Sequence, residues 1–292
     1  MLNSVCNLKF FREEFSLEKR KLRHHDATDF CRSQWQHKVN GGQASWSARA
    51  YVAYRWCVFL FVLFGGIAYD MLHTLGEKKC RTSELHCKSI WFIYLTNWNT
   101  FLLLLQTGMA TFLVTRHHFL PIKSGKRMQI IHRAYWAVYN MSTGVAPIVT
   151  IMYWGFVHDS EIHIVDYANV REHAVFTVIV LLDLLICAHP IHLMHVYQPV
   201  ALGLSYVAFS ALYYFFGGVN RLGRPYIYAI MDWDVPDRAA AISIITILFE
   251  CVVFFCVWTV HLIRRLLAEK CLRSNALQNG CEKNSAHEFG DA

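Results

Sequence analysis

Six long runs of apolar residues, separated by shorter polar segments, dominate the chain. We place them at 51–72, 89–114, 130–157, 173–194, 200–218 and 239–263. Each is close to the roughly 20 residues that a helix needs to cross the hydrocarbon of a bilayer. Backbone groups in lipid must find hydrogen-bond partners within the segment, which favours helices over strands. The pattern therefore predicts an all-α fold, a polytopic membrane bundle with six transmembrane helices.

The two ends of the chain are polar and charged. Residues 1–50 have no apolar core region of the kind found in a cleavable signal peptide, so we expect the first apolar run to direct insertion. Residues 264–292 are short and polar, a composition typical of disordered tails. We therefore expect a cytosolic N-terminal tail, the bundle at 51–263, and a cytosolic, disordered C-terminal tail, with no separate soluble domain.

Positive charge is distributed unequally between the two sides of the predicted bundle. The tails and the loops 115–129 and 195–199 hold eighteen Lys and Arg, whereas the loops 73–88, 158–172 and 219–238 hold eight. Cytosolic segments carry the excess of positive charge, so both termini should face the cytosol. The net charge of +7 then belongs near anionic lipid. It does not indicate a nucleic-acid partner.

Two cysteines, Cys80 and Cys87, fall in a predicted non-cytosolic loop with the sequence CRTSELHC. A disulfide between them is one expectation in an oxidising compartment, and two free thiols are the alternative.

Polar residues interrupt the second apolar run, WFIYLTNWNTFLLLLQ. At about 100° per helical residue, Thr96, Asn99 and Gln106 share one narrow stripe, whereas Asn97 points away from it. We expect the stripe to face the bundle interior, where Asn, Gln and Thr hydrogen-bond across helices.

Two carboxylates lie midway along predicted spans, Asp183 in the fourth and Glu250 in the sixth. Charge in the hydrocarbon is costly, so both should face inward, protonated or paired, as an intramembrane polar network with Gln106. A proton or ligand path is the alternative. Arg55 and His132 lie near the cytosolic ends of their helices, where they could reach the interface without a partner.

Histidines are numerous, and His189, His192 and His195 recur in HPIHLMHVY. We expect them to meet water and lipid headgroups at the cytosolic interface. A haem or metal protein would need histidines at matched depths on facing helices, which the sequence does not indicate. We therefore expect no metal and no cofactor.

A hydroxyl and an imidazole are predicted at similar depth on the non-cytosolic side. Thr96 lies about seven residues into the second span and His173 opens the fourth. A hydroxyl beside an imidazole is the minimum for a nucleophile activated by a general base, so Thr96 and His173 are a candidate catalytic pair. Asn99 could then donate a hydrogen bond to the oxyanion.

Several longer motifs are similar to those of the rolling stone family of multi-pass membrane proteins. They are FFREEF and DFCRSQW in the N-terminal tail, YVAYRW and WFIYLTNW in the first two spans, and YFFGG and YIYAIMDWDVP near the fifth. The resemblance covers nearly the whole chain. It implies a role in myoblast fusion and muscle development, at the plasma membrane in preference to the endoplasmic reticulum, with membrane lipids and proteins of the fusion machinery as partners.

A second resemblance is confined to topology and a short motif. Tyr94-Leu95-Thr96 is similar to a YLT element of the androgen-induced family of six-helix membrane hydrolases, and His173 matches the histidine of a later element. That family cleaves fatty acid esters of hydroxy fatty acids with a Thr and a His. An intramembrane lipid-ester hydrolase is therefore the alternative function.

Overall fold

The computed structural model describes residues 25–35, 38–39, 42–43, 45–76, 89–158 and 165–288. Almost all of this part of the chain is helical. The helices are α1 (Ser45–Leu60), α2 (Tyr69–Gly76), α3 (Leu95–Phe119), α4 (Ile130–Met152), α5 (Tyr167–Val170), α6 (Phe176–Ile186), α7 (Tyr197–Phe215) and α8 (Pro236–Glu288).

Irregular helical turns join several of these helices. π-helical turns at Phe61–Ala68, Tyr153–Val157 and Arg171–Val175 connect α1 to α2, extend α4, and connect α5 to α6. Turns of 3-10 helix lie at Ala27–Phe30, Leu193–Val196 and Ala229–Met231. The strands β1 (Lys38–Val39) and β2 (Gly42–Gln43) form a short antiparallel hairpin before α1.

Helix α4 is the centre of the bundle, because it packs against α3, α6, α7 and α8. Small residues on its buried face, including Ser142, Gly144 and Ala146, let neighbouring helices approach closely. A Cβ atom on Gly144 would lie 2.8 Å from the Cβ of Pro199 in α7. The sequence of α4 thus suits a helix surrounded by other helices.

The outward faces of the helices are apolar, with large exposed side chains that include Phe101, Phe112, Leu181, Leu204 and Leu248. Two helical segments, Ala48–Leu72 and Pro236–Ala268, are long and apolar enough by themselves to cross a membrane. The fold is therefore all-helical, as predicted, apart from the small hairpin.

Helix α3 begins later than the apolar run predicts, at Leu95 instead of residue 89. Tyr94 is extended, and the side chain of Asn97 donates a hydrogen bond to the carbonyl of Trp91 at 2.5 Å. The hydroxyl of Tyr228 accepts the backbone N–H of Leu95 at 3.1 Å. Asn97, the residue outside the predicted stripe, is thus buried and holds the turn before α3, which places Thr96 in its first turn.

Helix α6 ends at Ile186, whereas the apolar run continues to residue 194. Pro190 lacks an N–H and disfavours helical geometry at the residue before it, so the chain leaves the helix before this point. The last carbonyls of a helix need partners from elsewhere. Here the Leu184 carbonyl accepts from Arg264 at 2.5 Å, and the Leu185 carbonyl from Trp35 at 2.9 Å.

Residues 25–35 supply more of the donors that cap α6, although the sequence predicted a separate tail up to residue 50. The carbonyl of Ile186 accepts from the backbone N–H of Gln34 and from the hydroxyl of Ser33, each at 2.9 Å. Phe30 is buried against Tyr135 and Trp136 of α4. This segment is therefore part of the bundle.

Asp26 fixes the start of that segment. Its carboxylate accepts hydrogen bonds from the backbone N–H groups of Thr28 and Gly125 and from the hydroxyl of Ser124. Partial burial opposes ionisation, but these hydrogen bonds outweigh it and lower the pKa of Asp26. The charged form therefore stabilises the contact between this segment and the loop after α3.

Helix α8 continues to Glu288, beyond the predicted end of the sixth span at residue 263. The residues of the expected C-terminal tail up to 288 are thus helical. Helix propensity explains the difference, because Leu, Ala, Glu and Lys recur after residue 264 and no Pro follows.

Candidate functional site

The polar stripe of α3 faces the bundle interior. Thr96, Asn99 and Gln106 are all buried, as are Thr100 and Thr107 beside them. Thr100 and Thr107 donate to backbone carbonyls one turn earlier, at 3.1 Å and 2.8 Å. They are satisfied within their own helix, so only part of the stripe reaches other helices.

A buried ion pair joins α1 to α6. Arg55 Nη1 lies 2.6 Å from Asp183 Oδ1, and both side chains are 2% exposed. Gln106 Nε2 donates to the other carboxylate oxygen of Asp183 at 3.1 Å, and the hydroxyl of Tyr54 donates to Oδ1 at 3.1 Å. Asp183 is thus paired and fully hydrogen-bonded, and three helices meet at it.

Arg55 does not extend to the interface, as its position in the sequence suggested. Its guanidinium also donates to the hydroxyl of Tyr51 at 2.6 Å and to the sulfur of Cys187 at 2.9 Å. Spacing along one helix could not reveal a partner on another helix. His132 is fully buried as well, and its Nδ1 accepts the backbone N–H of Gln129 at the start of α4.

Glu250 lies apart from the Arg55–Asp183 pair. It is 3% exposed and lines a cavity between α3, α4, α7, α8 and the loop after α7. Gln106 and Asp183 do not line this cavity. The three residues predicted as one network therefore occupy two places, because Gln106 contacts Asp183 and Glu250 faces the cavity.

The cavity has almost entirely apolar walls. It contains about 810 Å³ of space free of atoms, part of which belongs to its open mouth. Helix α8 contributes Ser243 and Thr246 on the same face as Glu250. The apolar wall includes Val145, Ile148, Val149, Val207, Ile242 and Ile247.

The two members of the candidate catalytic pair have different positions relative to this cavity. Thr96 lines it, and so does the neighbouring Tyr228. His173 is buried beside the cavity, where its ring stacks on Tyr153 with the ring centroids 3.4 Å apart. Tyr153 itself lines the cavity, so it contacts both the empty space and the imidazole.

Tyr228 is a neutral neighbour of Thr96 on the cavity wall. Burial raises the pKa of Tyr228 to about 12, so the phenol stays protonated at neutral pH. A neutral phenol is a hydrogen-bond partner but not a general base for the threonine hydroxyl. Asn99 is buried on the next turn of α3 and does not line the cavity.

A second charged cluster, which sequence reasoning missed, lies between the turn after α1 and the turn after α5. The guanidinium of Arg171 forms ion pairs with Asp70 and Glu172 and donates to the carbonyl of Gly65 at 2.7 Å. It also lies over the ring of Tyr69, 5.2 Å from the centroid.

 Asp70 and Arg171 are 101 residues apart in the chain, so no local sequence pattern marks the pair.

The three histidines of HPIHLMHVY are buried and do not meet water. His189 stacks on Phe30 with the ring centroids 5.3 Å apart, and its Nε2 lies 3.2 Å from the hydroxyl of Tyr135. His195 Nδ1 lies 2.9 Å from the amide nitrogen of Asn140. Among the described residues, no group of three or more His, Cys, Asp and Glu side chains has an arrangement that could hold a metal ion. The histidines form a packed layer because the N-terminal segment covers them.

Cys80 and Cys87 lie outside the residues that the structure describes, so their pairing stays a prediction.

The apolar outer faces, the buried charges and the apolar cavity are typical of an all-helical membrane protein. A family model described as "Protein rolling stone" matches residues 3–273. The chain therefore belongs to the rolling stone family, as its motifs predicted. It is also 29% identical over 221 residues to "Protein rolling stone" of Drosophila melanogaster, which covers 72% of this chain and 73% of the relative. No solved structure matches the chain.

Proposed function

We propose that this protein is a six-span integral protein of the plasma membrane, with both termini in the cytosol, that acts in cell–cell fusion during muscle formation. Membership of the rolling stone family over nearly the whole chain carries this proposal. Its partners would be membrane lipids and the proteins of a fusion machinery.

The distribution of exposed apolar residues supports six spans. Large apolar side chains are exposed on the two helical segments that are long and apolar enough to span a membrane by themselves. They are also exposed on four other helices, for example Leu105 on α3, Ile151 on α4, Leu182 on α6 and Leu212 on α7. Soluble proteins rarely expose apolar surface on this scale. Contact between Gln34 and the carbonyl of Arg264 is consistent with a common side for the two termini.

Topology can be tested with cysteine substitutions at two exposed leucines that the proposal places on opposite sides of the membrane. Leu120 lies in the loop after α3 and Leu222 in the loop after α7, and they are 69% and 73% exposed. Both variants carry serine at positions 80 and 87, because Cys80 and Cys87 lie in a predicted non-cytosolic loop and could react themselves. In intact cells, a membrane-impermeant maleimide should then label a Leu222→Cys variant but not a Leu120→Cys variant. Permeabilised cells should show both labels. Labelling of both variants in intact cells would contradict the proposed topology.

The fusion role can be tested in cultured myoblasts. Depletion of the protein should lower the fraction of nuclei in multinucleate cells, and expression of the wild-type chain should restore it. Expression of muscle differentiation markers is the control, because a general block of differentiation also prevents fusion. Normal fusion after complete depletion would refute the role.

A lipid-ester hydrolase is the second candidate, because Thr96 lies on the wall of an apolar cavity. In this reaction Thr96 Oγ attacks the ester carbonyl, His173 accepts the hydroxyl proton and returns it to the leaving alcohol, and water then releases the acyl group. The threonine hydroxyl must form a hydrogen bond to the imidazole for this step. Asn99 would need to turn toward the cavity to assist the oxyanion.

Purified protein and a fluorogenic lipid ester provide the test. Thr96→Ala and His173→Ala should each abolish hydrolysis, whereas Thr100→Ala should retain it. Thr100 is the matched control because it is a buried threonine of the same helix that bonds only to the Thr96 carbonyl. Hydrolysis that survives Thr96→Ala would exclude this site, and loss in all three variants would indicate a structural effect.

A further inference from the structure

Glu250 is the one feature of the cavity that packing does not explain. Its carboxyl group is buried midway along a membrane helix, and no hydrogen bond or ion pair to any described residue reaches it. Asp183 has three donors around it, and Asp70 has Arg171. Buried carboxyl groups in membrane helices are otherwise paired or functional, because an unsatisfied polar group in hydrocarbon costs several kcal/mol.

The surrounding helices leave room for this carboxyl group. A Cβ atom on Gly203 of α7 would lie 2.8 Å from Glu250 Oε2 and 2.7 Å from the Cδ1 atom of Ile247. Glycine at this position therefore lets α7 pass close to the carboxyl group while the group faces the cavity.

The chemistry of the cavity restricts what can satisfy Glu250. No Lys, Arg or His lines the cavity, so a carboxylate here would have no counter-charge. The neutral acid is the more stable form in such surroundings. It presents one donor and one acceptor side by side. A hydroxyl group presents the same pair, and an apolar body attached to it would fit the aliphatic walls.

We propose that the cavity binds a neutral lipid alcohol, a sterol or a long-chain alcohol, whose hydroxyl group hydrogen-bonds to the carboxyl group of Glu250. This inference rests on the proposed membrane setting but not on the role in fusion or on hydrolysis. The alcohol enters with its apolar body against α4, α7 and α8. Its hydroxyl reaches the level of Glu250, seven residues and about 10 Å along α8 from Ser243.

Photoaffinity labelling of the full chain in phosphatidylcholine nanodiscs tests the proposal. The probes are a photoreactive, alkyne-tagged sterol and a similarly tagged long-chain alcohol, the methyl ether of each, and a tagged long-chain amine. Both alcohols are included because either source of the hydroxyl would support the proposal. The alcohols should label peptides of α7 or α8 at the cavity about tenfold more strongly than their ethers, because the ether cannot donate a hydrogen bond.

Two substitutions at Glu250 separate hydrogen bonding from charge. Glu250→Gln should keep alcohol labelling within about threefold, because the amide retains a donor and an acceptor, whereas Glu250→Leu should lower it about tenfold. Thr259→Leu, at a partly exposed position of the same helix that does not line the cavity, should have no effect. Thermal unfolding of each variant verifies folding, and the comparison of alcohol with ether on the wild-type chain does not depend on any variant.

Three results would overturn the proposal. Equal labelling by alcohols and ethers would show that the hydroxyl is not recognised. Labelling of Glu250→Leu at the wild-type level would show that another group binds the probe. A preference for the amine that Glu250→Gln abolishes would indicate a cationic ligand instead. A failure of the topology experiment, by contrast, concerns only the membrane setting.

Discussion

The buried pair of Arg55 and Asp183 should stabilise the bundle only while both partners are present. We consider Arg55→Leu, Asp183→Leu and the double variant. Removal of one partner leaves a charge without compensation in a fully buried position, which costs about 3–5 kcal/mol. Each single variant should therefore lower the free energy of unfolding by that amount.

The double variant should be less damaging than either single variant. Leucine at both positions removes both charges, and what remains is the loss of hydrogen bonds from Tyr54 and Gln106 to Asp183 and from Arg55 to Tyr51 and Cys187. Hydrogen bonds between membrane helices are worth about 0.6 kcal/mol each on average. Four of them give a loss of about 2 kcal/mol, so a double-mutant cycle should show a coupling of several kcal/mol.

Unfolding by sodium dodecyl sulfate in mixed micelles, followed by circular dichroism, measures these differences. Gln106→Leu is a useful control, because it removes one hydrogen bond from Asp183 and leaves the charge pair in place, with an expected cost of about 1 kcal/mol. The reasoning would be refuted if the double variant lost the sum of the two single losses. In that case Arg55 and Asp183 would stabilise the bundle independently of each other.

Three further predictions follow from other contacts. Arg171→Met should lower the free energy of unfolding by about 3–5 kcal/mol, because it leaves Asp70 without its partner. Glu172→Gln should cost less in the same unfolding assay, and equal losses for the two variants would contradict this prediction. Gly144→Ala should cost about 1–3 kcal/mol, because the new methyl group meets the rigid ring of Pro199, and the same change at the open position Gly155 should cost less than 1 kcal/mol. Because the pKa of Asp26 is lowered in the folded state, the stability that Asp26 contributes is fully present above the usual aspartate pKa and is lost as the pH falls through the folded-state pKa. Hydrogen exchange of residues 25–35 should therefore increase below about pH 4. Asp26→Asn should remove this pH dependence.

Much of the helical architecture follows from periodicity and length. The polar stripe of α3 is buried as predicted because one helix rotates its residues in a fixed way, whatever surrounds it. The ends of helices were harder to predict, since they depend on partners elsewhere in the chain. Asn97 and Tyr228 determine where α3 begins, and residues 33–35 with Arg264 allow α6 to end.

The candidate site shows the same division. Burial of Asp183 and Glu250 follows from the cost of charge in lipid, but hydropathy says nothing about which helices are neighbours. Arg55 was therefore not recognised as the partner of Asp183. The predicted depths of Thr96 and His173 also depended on where their helices begin. Helix α3 begins at Leu95 and the helical run that contains His173 begins at Tyr167, and both starts differ from the predicted ones.

The donors that cap α6 come from two segments far apart in the chain, residues 33–35 and Arg264. Arg264, which bonds to the Leu184 carbonyl, is synthesised eighty residues after it. While the residues between Leu184 and Arg264 are synthesised, the C-terminal end of α6 has no Arg264 to bind its carbonyl groups. During that time residues 33–35 cannot form their complete set of contacts with this end of the bundle. Assembly of this end of the bundle must therefore wait until the last span is inserted. A chain that terminates before Arg264 would keep an incomplete bundle in the membrane, where quality control could recognise it.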